Sequence, residues 1–129
     1  DSNDGRVVSN FIVQALNGTS LTVYGDGSQT RSFCYVGDLV DGLIRLMNSD
    51  FNKPLNLGNP QEFTIMELAA LVKKLVSVDV QIEYGKLPVD DPHRRCPDIK
   101  LAKEILDWQP QTALNNGLLQ TIDWFRSQS

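Results

Sequence analysis

Arg31 is the residue in this sequence with the plainest chemical purpose. It stands within Leu21 to Asp41, LTVYGDGSQTRSFCYVGDLVD, between a glycine-rich turn and an apolar run. A guanidinium presents a planar fork of donors that fits a phosphate or a carboxylate with two parallel bonds. An arbitrary arginine is a solvated surface residue, so its setting has to carry any functional reading. The other reactive side chains offer less. The lone His93 sits between Pro92 and Arg94 on a polar stretch, and no partner for a base–nucleophile pair can be named. It reads as a non-catalytic loop residue. No His, Cys, Asp or Glu spacing resembles a metal site. Cys34 and Cys96 lie far apart with no CxxC pattern, which fits free thiols in a cytosolic protein better than a disulfide.

The elements that must position Arg31 follow from the pattern around it. Val23 and Tyr24 suit a strand over Leu21–Tyr24. Gly25-Asp26-Gly27-Ser28 is turn chemistry, and Phe33, Tyr35 and Val36 predict a second strand over Ser32–Val36. Asp38 then opens a helix to Asn48, with Leu39, Leu43, Leu46 and Met47 as its apolar stripe. Upstream, Arg6 to Leu16 has Val7, Val8, Phe11, Ile12, Ala15 and Leu16 at helical spacing, stopped by Asn17-Gly18. Downstream, Pro54–Gly58 reads as a short strand. Thr64 and Glu67 form a capping box for a helix carrying Ile65, Leu68, Leu71, Val72 and Leu75. Val80–Tyr84 is another short strand, and Lys86–Pro97 a proline-punctuated loop. A helix from Ile99 to Leu106 is capped by Asp98 and ended before Pro110. A last helix runs from Ala113 to Phe125. Helices and short strands alternate irregularly, which predicts a mixed α/β unit rather than a regular doubly wound sheet. With no repeat and no linker, residues 1–129 read as one domain.

Composition narrows the class. The chain has 129 residues, 41% hydrophobic and 22% charged, a globular composition long enough for a core. A net charge of −4 gives no basic footprint for nucleic acid, so an anionic ligand must be held by local arginines. No apolar run approaches the roughly 20 residues of a membrane span, and the polar start DSNDGRVV is unlike a signal peptide. A cytoplasmic location is expected.

Five ordered blocks carry a resemblance: DGRVVSNFIVQAL, TVYGDGSQTRSFCYVGDLVDG, PLNLGNP, DDPHRRCPDI and LDWQP. Together they resemble the nucleotide-sugar branch of the extended short-chain dehydrogenase/reductases, in the NAD-dependent epimerase/dehydratase family, and within it the UDP-glucuronate decarboxylases (UDP-xylose synthases). The resemblance implies an anion-binding α/β unit that is the C-terminal, substrate-binding portion of a larger enzyme, with the Rossmann half absent. Two family features are missing. There is no glycine-rich GxGxxG or GxxGxxG turn to seat a dinucleotide on a helix N-terminus. There is also no Tyr-x-x-x-Lys pair, since Tyr24, Tyr35 and Tyr84 are followed four residues on by Ser28, Leu39 and Pro88. No catalytic residue is therefore expected in this chain.

The resemblance also implies roles. Arg31 and Arg95 match arginines that hold the nucleotide diphosphate or the sugar carboxylate, and Arg94 reads as a solvated neighbour. Asp90 and Asp91 suit loop positioning. Asn56 matches an asparagine placed near the nucleotide, with a turn-forming side chain as the other reading. Val23 and Tyr24 are expected to wall the base pocket, although a plain core position describes Val23 equally well. Arg6 matches a cofactor-binding arginine that could equally reach the substrate from the start of the first helix, or reads as a helix-terminus surface residue. The implied cofactor is NAD, the implied substrate a UDP-sugar, and the implied enzyme a homodimer. The implied reaction turns UDP-glucuronate into UDP-xylose by C4 oxidation, decarboxylation and re-reduction. A sister 4,6-dehydratase or 4-epimerase and a non-catalytic nucleotide-sugar-binding module are the alternatives.

Overall fold

A computed structural model describes residues 2–87 and 96–128. Its first helix, α1 (Ser2–Leu16), ends where Gly18 takes φ 71°, a conformation glycine adopts without steric cost. The strand β1 (Leu21–Tyr24) follows, then β2 (Thr30–Arg31), α2 (Val36–Met47) and β3 (Phe63–Thr64). After them come α3 (Ile65–Val76), β4 (Ile82–Gly85), α4 (Lys100–Leu106) and α5 (Leu114–Ser127). β1 pairs in parallel with β4, from Leu21 opposite Ile82 to Tyr24 opposite Gly85. β2 pairs antiparallel with β3, setting Arg31 opposite Phe63.

Two apolar clusters hold these elements. In the larger, α1, α3 and α5 close over β1, burying Phe11, Ile12, Leu21, Val23, Leu68, Val72 and Ile122. Each such side chain contributes about 1.5–3 kcal/mol on burial. The capping box starts α3 as expected: the Glu67 N–H donates to Thr64 Oγ1 at 3.0 Å, and the Thr64 N–H donates to Glu67 Oε1 at 2.9 Å. The smaller cluster packs Ile99, Ala102, Leu106 and Trp108 against Leu46, Leu55 and Leu57.

Several expected boundaries move. The strand expected over Ser32–Val36 is only the pair Thr30–Arg31, because its partner β3 is two residues long before α3 begins. α2 starts at Val36, with Tyr35 at the cap position. Asp38 therefore lies within the first turn rather than opening the helix. Pro54–Gly58 is not a strand; Leu55 and Leu57 pack on the Trp108 cluster instead of joining a ladder. Ile99, not Asp98, takes the cap position of α4, although Asp98 Oδ1 still accepts from the Lys100 N–H at 3.0 Å.

The orientation of α2 departs furthest from expectation. Leu43 is 50% and Met47 81% exposed, on one face with Val36, Val40 and Ile44. The inward face holds Asp38 and Gly42. A Cβ on Gly42 would stand 3.0 Å from Trp108 Nε1, so the glycine lets the indole reach the helix backbone. The indole N–H donates to Asp38 O at 2.9 Å, and Asp38 Oδ2 accepts from the Thr112 N–H at 2.9 Å. One acid thus anchors both Trp108 and the approach to α5.

Candidate functional site

A cavity of about 220 Å³ opens beside β1. Arg6 and Asn10 enter it from α1, Thr22 and Tyr24 from β1, and Gln29 and Arg31 from the segment running into β2. Val7, Phe11, Ile65 and Leu87 supply apolar wall. The alternation of β1 decides which residues arrive: successive side chains point to opposite faces, so Leu21 and Val23 enter the core while Thr22 and Tyr24 face the cavity.

The turn between β1 and β2 bends back because Gly25 and Gly27 sit at φ 75° and 79°, where a side chain would be strained. Asp26 Oδ1 fastens it, accepting from the Ser28 N–H at 2.9 Å. Gln29 is 6% exposed, and its Nε2 donates to Tyr24 O at 2.9 Å, closing the turn on itself. Arg31 is 3% exposed, and its Nη1 donates to Thr30 O at 2.6 Å. A buried guanidinium is costly unless partnered, so its burial beside a cavity marks a positioned cation. The Tyr24 ring lies along Gly85, whose Cβ would stand 2.7 Å from Tyr24 Cδ1.

Three of the residues singled out from sequence, Arg6, Tyr24 and Arg31, therefore meet around one cavity. Val23 does not line it: its side chain is fully buried in the core, as strand alternation requires. Asn56 is exposed and lies away from the cavity, donating from Nδ2 to Asp98 O at 3.4 Å. Arg95, with Asp90, Asp91, His93 and Arg94, lies outside the described residues. Asn10, Thr22 and Gln29 were missed. Spacing could have found two of them: Asn10 is four residues past Arg6 on a helix, and Thr22 is two residues before Tyr24 on one strand.

A second, more open hollow of about 880 Å³ lies between Ser32–Tyr35, Leu57–Asn59, Pro97 and the start of α5, and both cysteines border it. They are free thiols of unequal character. Burial, and secondarily the charge of Asp38, pushes the Cys34 thiol from its ordinary 9.0 up to about 11, while Cys96 is exposed. The thiolate is the reactive form. Cys96 is expected to be alkylated by iodoacetamide at pH 8 well before Cys34, and peptide mass mapping would show the order. Because the folded chain holds the Cys34 proton more tightly than the unfolded chain, Cys34 contributes stability below pH 9 that is lost between pH 9 and about 11. Cys34→Ala should flatten that alkaline loss in urea melts.

Among the described residues, no group of three or more His, Cys, Asp or Glu could hold a metal ion, and no helix is long and apolar enough to cross a membrane. Residues 1–58 match the model of the NAD dependent epimerase/dehydratase family. UDP-glucuronic acid decarboxylase 1 of Danio rerio is 58% identical over 123 residues, 95% of this chain. The chain belongs to this family. UDP-glucuronic acid decarboxylase 6 of Arabidopsis thaliana is 57% identical, also over 95% of the chain. The chain spans 29% and 36% of the length of these two relatives. Among solved structures, UDP-glucose 4-epimerase of Thermotoga maritima, with UDP-glucose, superposes with a TM-score of 0.91 at 30% identity. That match covers 95% of this chain and 40% of the epimerase. UDP-glucuronic acid 4-epimerase of Bacillus cereus, in complex with UDP-glucuronic acid and NAD, gives 0.89 at 25% identity, with the same shares covered. The fold is accordingly that of a part of an extended short-chain dehydrogenase/reductase. The family's cofactor is NAD, but no turn of this sequence has the glycine spacing that cradles a dinucleotide pyrophosphate. The residues present therefore do not make up a dinucleotide site.

Proposed function

We propose that this chain is the UDP-sugar-binding portion of an NAD-dependent UDP-glucuronate decarboxylase, a carboxy-lyase that makes UDP-xylose. The observation that carries the reading is 52–58% identity, over nearly the whole chain, to relatives that bear this activity in their names. When bound, NAD would supply reversible hydride transfer at C4 of the sugar, the chemistry on which loss of CO2 depends. The chain's own part is to bind and orient. Arg31 holds the diphosphate with paired, charge-assisted bonds, Tyr24 covers the base, and Arg6 reaches the substrate from α1. Arg95 is the second diphosphate ligand. Asn56 bonds to Asp98 O instead of touching nucleotide, and Val23 contributes backbone alone. Residues 1–129 act as one domain of a homodimeric, cytoplasmic enzyme; free thiols at Cys34 and Cys96 suit a reducing compartment.

The high structural likeness to a 4-epimerase supports a second reading, in which the enzyme inverts C4 and releases no CO2. Product analysis separates them. UDP-glucuronate and NAD+ given to the longer enzyme that carries this chain should yield CO2 and UDP-xylose, while the 129-residue chain alone yields neither. UDP-galacturonate as the product would establish the epimerase. Binding without any turnover would establish a non-catalytic module.

A further inference from the structure

The cavity beside β1 is lined by chemically distinct groups: Arg6 and Arg31 are cationic and suit phosphate, Asn10, Thr22 and Gln29 are neutral and polar, and Tyr24, Val7 and Leu87 are aromatic or apolar. Pockets that enclose drug-sized ligands run to roughly 300–1,000 Å³, so about 220 Å³ takes one part of a nucleotide sugar rather than all of it. A flat apolar wall, neutral hydrogen-bonding groups and adjacent cations describe a seat for a base with its phosphates leading out.

Of the three neutral groups, only Gln29 is both fixed and available. Thr22 is committed to Gln14, since its N–H donates to Gln14 Oε1 at 3.1 Å and its hydroxyl accepts from Gln14 Nε2 at 3.2 Å. Asn10 is exposed. Gln29 is 6% exposed, and one N–H of its amide is held by Tyr24 O at 2.9 Å. That bond fixes the polarity of the amide, because a flipped amide would set two carbonyl oxygens against each other. It leaves Oε1 as an acceptor and the second N–H as a donor. Gln29 and Arg31 also lie two residues apart in sequence, and both line the cavity.

We propose that Gln29 is the specificity-determining residue for the base, reading the N3–H and an adjacent carbonyl of uracil through its fixed amide edge. This rests on the cavity being a UDP-sugar site. Uracil offers a donor at N3 beside a carbonyl acceptor, which complements the acceptor–donor order of the amide. Cytosine reverses that order, with an acceptor at N3 beside a donor at N4. A pre-set amide rejects it, because satisfying cytosine would break the bond to Tyr24 O. Thymine carries the same edge as uracil and is accepted by Gln29.

The test is a calorimetric titration of the longer enzyme that carries this chain with UDP, CDP and N3-methyl-UDP, repeated on Gln29→Met. The unaltered enzyme should bind UDP about ten- to a hundredfold more tightly than CDP or N3-methyl-UDP, the range of one bidentate base contact. In Gln29→Met, binding of UDP should fall to the level of the other two, so that N3 methylation no longer matters. A merely structural role for Gln29 would weaken all three ligands alike and leave their ratios unchanged, which overturns the proposal while the UDP site stands. Equal binding of UDP and N3-methyl-UDP by the unaltered enzyme also overturns it. If no nucleoside diphosphate binds, the UDP-site reading itself falls, and the proposal with it. Should Gln29→Met fail to fold, Gln29→Glu keeps the length, removes both N–H donors and is expected to collapse the UDP-to-CDP ratio in the same way.

Discussion

Replacing Arg31 by lysine is expected to lower affinity for UDP by about ten- to a hundredfold, which corresponds to roughly 1.5–3 kcal/mol for a lost charge-assisted bond. Charge is conserved in this change, so the loss measures geometry. Arg31 is 3% exposed, with Nη1 spent on Thr30 O. The guanidinium is therefore braced on the backbone, which sets the plane of its fork beside the cavity. An ammonium on a flexible stem has no such plane to set. Calorimetric titration of UDP into Arg31→Lys gives the loss directly, with Arg94→Ala as the comparison expected to bind nearly as the unaltered chain does. If Arg31→Lys bound UDP normally and Arg94→Ala did not, the diphosphate grip would have been assigned to the wrong arginine.

The largest loss of stability is expected from Trp108→Ala, at about 3–5 kcal/mol. The indole is 1% exposed at the centre of the smaller cluster, and its N–H satisfies Asp38 O. Removing it opens a void and takes one donor away from Asp38 O. Native domains have only about 5–15 kcal/mol in hand, so this one substitution takes a large share. Trp108→Phe keeps most of the ring volume but loses the donor, and should cost about 1–3 kcal/mol. Urea unfolding midpoints for the three proteins rank them. Equal midpoints for Trp108→Phe and Trp108→Ala would show that the hydrogen bond, not the packing, carries the cluster.

What the sequence made legible was local. The stop at Gly18, the capping box at Thr64 and Glu67, and the strand over Leu21–Tyr24 each depend on neighbours within a few residues. The extent of β2 was not legible, because it is set by the length of a partner strand elsewhere in the chain. Nor was the orientation of α2. Leu43 and Met47 look like a core stripe until Gly42 is seen admitting Trp108 to the opposite face. In the site, the cations Arg6 and Arg31 and the aromatic Tyr24 stood out by chemistry and family likeness. Gln29 did not stand out, since its significance lies in a bond to Tyr24 O that only the folded turn creates.

The parallel pairing of β1 with β4 has a consequence for the order in which the molecule assembles. Leu21 must find Ile82 across the whole of α2 and α3, and such distant closures come late in folding because their entropy is lost before any contact rewards it. The rim of the cavity depends on that closure, since Tyr24 lies against Gly85 and Leu87 follows just beyond. The helices can dock while the binding site is still open. A nucleotide arriving early finds nothing to hold, and one arriving late meets a finished seat. Its influence then falls on the reverse journey: it delays unfolding and leaves the pace of folding unchanged.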